Sequence, residues 1–96
     1  MDLERLLAHI RSLGIPELSN VSCLTKLPGA YLNLVCRLPN GKTDQILDER
    51  QDYWACQVEK IQGDCCIGVA CNLDMIAVYE YKEQGQDAVL RLWEKI

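Results

Sequence analysis

Apolar residues return every three or four positions at the start of the chain: Leu3, Leu6, Leu7, Ile10 and Leu13 line one face of a helix. Asp2 is placed to cap its first turn, and Gly14 followed by Ile15-Pro16 ends it. From Asn20 the period shortens to two. Val21, Cys23, Thr25 and Leu27 share one parity, Pro28-Gly29 reads as a turn, and Ala30, Leu32, Leu34, Cys36 and Leu38 form the next apolar face, which together predict a hairpin. Pro39-Asn40-Gly41-Lys42 is a second turn, whose Asn-Gly pair suits the positive φ of tight hairpins, so Thr43 to Glu49 is expected to return as a polar strand.

Alternation resumes at Tyr53 to Ile61, with Trp54, Cys56 and Val58 on one side and Tyr53, Gln57 and Glu59 on the other. Residues 65–81 are apolar enough for a buried helix, but Cys65, Ile67, Val69, Cys71, Leu73, Met75, Ala77, Tyr79 and Tyr81 all share one parity. That run favours two strands, Cys65 to Cys71 and Met75 to Tyr81, turning at Asn72-Leu73-Asp74. After a charged loop at 82–86, Asp87 could cap a closing helix in which Val89, Leu92, Trp93 and Ile96 keep helical spacing. The expectation is an α+β fold, an antiparallel sheet of five to six strands with an N-terminal and a C-terminal helix, in one domain over residues 1–96.

Composition adds little to that picture beyond exclusions. The net charge of −4 divides into +2 over residues 1–43 and −6 over residues 44–96, and no window holds the dense basic footprint that a phosphate backbone requires. Direct nucleic-acid binding is therefore not expected. No uncharged stretch approaches the roughly 20 residues of a membrane span, and Met1-Asp2-Leu3-Glu4-Arg5 lacks the basic flank of a signal peptide, so a cytoplasmic location is expected. Five of the six cysteines fall on apolar parities, as small hydrophobes do, which favours reduced thiols over a disulfide framework.

Candidate chemistry is sparse. His9 is the only histidine and sits on the first helix among basic residues. The vicinal pair Cys65-Cys66 would point to opposite strand faces and does not match paired zinc-ligand spacing, while Cys66, on the more polar parity, is the candidate accessible thiol. Glycine-rich phosphate motifs are absent and no cofactor is implied. What stands out is Asp44, Asp48, Glu49 and Asp52, four acids in nine residues followed by Tyr53, a pattern suited to steering a basic protein partner by charge and anchoring it by a ring.

On architecture and charge alone the chain is similar to small secretion chaperones and to small immunity or inhibitor proteins. The reading is a non-enzymatic protein-binding module, an inhibitor, immunity protein, chaperone or adaptor, acting alone or as a homodimer. The alternative is a small thiol-dependent or redox-sensing protein using Cys66 or Cys65.

Overall fold

Helix α1 (Leu3–Arg11) begins where the Asp2 carboxylate accepts a hydrogen bond from the Arg5 amide at 3.2 Å, and the chain leaves it through Gly14 at φ 76°. A 3₁₀ turn at Pro16–Leu18 follows. The computed structural model describes residues 2–32, 35–38, 40–59, 63–82 and 88–96. The remaining elements are β1 (Thr25–Pro28), a single helical turn α2 (Gly29–Leu32), β2 (Val35–Arg37), β3 (Thr43–Gln45), β4 (Asp52–Glu59), β5 (Cys65–Cys71), β6 (Met75–Lys82) and β7 (Ala88–Lys95). No helix among the described residues is long and apolar enough to cross a membrane.

All seven strands join one sheet in the order β1-β4-β5-β6-β7-β2-β3, antiparallel except where β2 runs parallel to β7. The α+β class is as expected, but the sheet is larger than five to six strands. The extra strand comes from the C-terminal segment, which is not a helix. Its helical spacing has a specific origin in a β-bulge: Tyr79 pairs with Leu90 but Val78 pairs with Leu92, leaving Arg91 as the extra residue. Side chains 88 and 90 therefore share a face with 93, while 89 shares the other with 92. The insertion turns two strand parities into an i, i+3, i+4 pattern. The proposed cap at Asp87 and residues 83–86 lie outside the described residues.

The expected first hairpin is also replaced. Rather than folding back on β2, β1 pairs with β4, through Thr25 opposite Ala55 and Leu27 opposite Tyr53. Gly29 explains the departure, because the chain passes so close to the 48–51 turn that a Cβ there would lie 2.8 Å from the Gln51 carbonyl oxygen and 2.9 Å from Glu49 Cα. Its amide donates to that same Gln51 carbonyl at 2.7 Å. The second hairpin forms as read, with Gly41 at φ 82°, although β3 keeps only Thr43–Gln45 of the expected strand.

Strands β5 and β6 match their expected bounds to within one residue, and Asn72 makes the turn by accepting from the Asp74 and Met75 amides at 2.8 and 3.0 Å. The nine-member alternation does not, however, lie on one face. In the antiparallel register Val69 opposes Val78 and Ala70 opposes Ala77, so the turn exchanges parities. Both faces are covered. On one, Ile67, Val69, Cys71, Ile76 and Val78 pack against Leu6, Leu7 and Ile10 of α1 and against Leu18 and Val21. On the other, Ala70, Met75, Ala77, Tyr79 and Ala88 are joined by Cys36, Leu47 and Tyr53.

This packing predicts where truncation costs most. Ile67 is fully buried under α1, whereas Trp93 is 47% exposed on β7. In urea melts, Ile67→Ala should cost about 2 to 5 kcal/mol and Trp93→Ala about 1 kcal/mol or less; the reverse order would place the core on the wrong face.

Candidate functional site

The acidic segment forms a turn between β3 and β4 whose backbone is bound on several sides. The Asp48 amide donates to the Tyr53 hydroxyl at 2.9 Å, the Gln51 amide to the Asp48 carbonyl at 3.0 Å, and the Asn72 side chain to Gln51 Oε1 at 3.1 Å. With the Gly29 contact, these bonds tie the turn to α2, β4 and the β5–β6 turn. Gln45 Nε2 donates to Glu49 Oε1 at 3.1 Å, which brings the end of β3 beside the turn.

The four acids differ in how far their charge is compensated. Arg50 donates to both Asp48 carboxylate oxygens, at 3.1 and 3.2 Å, and its side chain and amide hold the Asp48 carboxyl below its ordinary value. Lys26 Nζ lies 3.6 Å from Asp52 and also stands over the Trp54 ring at 5.5 Å. Asp44 and Glu49 are exposed, and among the described residues neither forms an ion pair with a cation. The acids thus run from β3, at one edge of the sheet, through the turn to the start of β4, next to the other edge, and the surplus charge rests on Asp44 and Glu49.

Tyr53 is not the surface ring that its parity suggests. It is 2% exposed and packs with Leu47, with its hydroxyl spent on the Asp48 amide. The physical reason is the second covered face, since Leu47 and partly buried Ile46 fold over the side of β4 that would otherwise meet solvent. The exposed ring on that face is Trp93, because it pairs opposite Ala77, a member of the same cluster. Its helical spacing in the sequence points instead to a helix core, which the strand replaces.

The thiols require a similar correction. All six cysteines are free, and Cys66 is buried, so the exposed thiol is Cys23. Register explains it, as Cys66 stands opposite Tyr81 on the face that the second cluster covers. Burial pushes Cys36 and Cys56 up to about 11 and Cys71 up to about 12, well away from the thiolate form at neutral pH. His9 Nε2 lies 3.6 Å from Glu94, an acid supplied by β7. Among the described residues no group of three or more His, Cys, Asp or Glu side chains could hold a metal ion.

Neither a protein-family model, nor a curated protein, nor a solved structure matches the chain.

Two predictions concern this site. Tyr53→Phe removes the acceptor of the Asp48 amide, so that amide should exchange hydrogen faster and the protein should lose about 0.5 to 1.5 kcal/mol; unchanged exchange would detach Tyr53 from the turn. For the thiols, Cys23 should alkylate first, the buried ones only on unfolding. Because Cys36, Cys56 and Cys71 ionise at about 11 to 12 when folded against 9.0 ordinarily, the unfolded chain gives up protons first. Their contribution to stability should be full below pH 9.0 and be lost as pH rises toward 12, with a shallower alkaline loss in Cys71→Ala; urea midpoints across that range check it.

Proposed function

We propose that the protein is a non-catalytic protein-recognition module that meets its partner with an acidic turn and an exposed indole. The observation carrying this reading is Trp93, 47% exposed and paired with Ala77, which belongs to the face that the acidic turn helps to cover. Exposed tryptophans held on rigid elements are favoured interface anchors, because they bring large contact area with little side-chain entropy to lose. The turn supports the reading in a second way. Its backbone is already ordered by Tyr53, Gly29 and Asn72, which lowers the ordering cost of binding.

The roles divide by physics. Asp44 and Glu49 supply long-range attraction for a basic surface, acting on the on-rate, whereas Trp93 supplies contact, acting on the off-rate. The thiol-dependent reading, for its part, passes from Cys66 to Cys23.

Affinity capture at low salt, followed by kinetics on the captured protein, tests the reading. Trp93→Ala should speed dissociation by about 30-fold, the scale of an interface hot spot. Asp44→Asn with Glu49→Gln should slow association several-fold at low ionic strength and hardly at all at high salt. A partner indifferent to both changes would remove this surface from the function.

A further inference from the structure

A cleft of about 420 Å³ opens at the β1 side of the sheet, lined among others by Thr25, Leu27, Leu32, Ala55, Gln57 and Tyr79. Its size falls within the roughly 300 to 1,000 Å³ of small-ligand sites. By register, Thr25 and Leu27 stand opposite Ala55 and Tyr53, so the walls come from the face opposite α1, while α2 contributes Leu32. No lining side chain carries a full charge, since Cys23 and Cys56 complete the set.

Tyr79 distinguishes this cleft from a packing gap. It is 6% exposed, and its ring lies across Gly68 on the neighbouring strand, so close that a Cβ at Gly68 would come 2.6 Å from the hydroxyl oxygen. Among the described residues that hydroxyl makes no hydrogen bond. The ring also packs at a tilt against that of Tyr81, whose own hydroxyl donates to Gln57. Among the described residues the one buried polar atom without a partner is Glu17 Oε2, so the Tyr79 hydroxyl is left open to solvent at the cleft, where the oxygen of a ligand can take the place of water. Burial also raises the Tyr79 phenol above its usual range, which keeps it a neutral donor.

We propose that this cleft binds a small, uncharged, largely apolar molecule whose carbonyl or hydroxyl oxygen accepts a hydrogen bond from the Tyr79 hydroxyl. An anion is disfavoured because no lining cation would replace its hydration. The site goes beyond the recognition surface, because none of its lining residues belongs to the acidic turn or to Trp93.

A neutral naphthyl ketone fluorophore, propionyl-dimethylaminonaphthalene, has the required shape and a single carbonyl whose emission shifts to the blue on burial. The full chain should bind it saturably, with blue-shifted emission, and the bound probe should slow alkylation of exposed Cys23, which lines the same cleft. Tyr79→Phe keeps the ring over Gly68 but removes the donor, so the affinity should fall about 3- to 10-fold. Thr25→Trp adds bulk from an exposed edge position and should abolish binding, with circular dichroism confirming that both variants fold. The proposal is overturned by the absence of saturable binding, by binding that survives Thr25→Trp, by affinity unchanged in Tyr79→Phe, or by Cys23 alkylated at the same rate with and without probe.

Discussion

The connection from β1 to β2 constrains the whole sheet. In sheet order these strands stand five positions apart, β1 at one edge and β2 next to the other, yet only six residues lie between them. Flat, five spacings amount to about 24 Å. A connection that spends four residues in a helical turn can reach no more than about 19 Å, given rises of about 1.5 Å per helical residue and at most about 3.5 Å per extended one. The sheet must therefore curl, bringing its two ends toward each other over α2.

Curling decides which side chains the inner face can hold. Where strands bend toward one another the space between them shrinks, and the middle of that face carries Gly68, Ala70, Ala77 and Ala88. One large ring, Tyr79, fills the centre and can do so only because Gly68 has no Cβ. The outer face has the opposite character: Ile67, Val69, Ile76 and Val78 meet the leucines of α1 in a layer of branched aliphatic side chains. The same curl brings β2 against β7, seats Leu47 over Tyr53, and leaves the Tyr79 hydroxyl at the base of a cleft closed on one side by Leu32. Thus the acidic turn and the cleft both border α2, the first through Gly29 and the second through Leu32.

Much of this was legible residue by residue. Helix α1, the β2–β3 turn and the β5–β6 pair follow from local rules, since a cap, an Asn-Gly turn and strict alternation are all short-range signals. What escaped depends on contacts distant in sequence. The bulge at Arg91 is visible only as a register shift against β6, and without it Val89, Leu92 and Trp93 imitate a helix. Likewise, alternation marks Tyr53 as outward on a sheet with one buried face, and only the curl shows that both faces are buried. For the candidate site, the acidic residues were legible but their partners less so: Arg50 is a near neighbour of Asp48, whereas Lys26 reaches Asp52 only through the β1–β4 pairing. The place of Tyr79 in the cleft had no signal in the sequence, because its environment is made by three strands and α2.

The curl itself is the claim on which these relations rest, and backbone NMR on isotope-labelled protein tests it most directly. The structure requires parallel cross-strand contacts between Cys36 and Ala88 and between Arg37 and Val89, with strand chemical shifts over residues 88–95 interrupted at Arg91. Antiparallel contacts between β1 and β2, or helical shifts over 88–95, would contradict it and return the molecule to a flat sheet closed by a C-terminal helix.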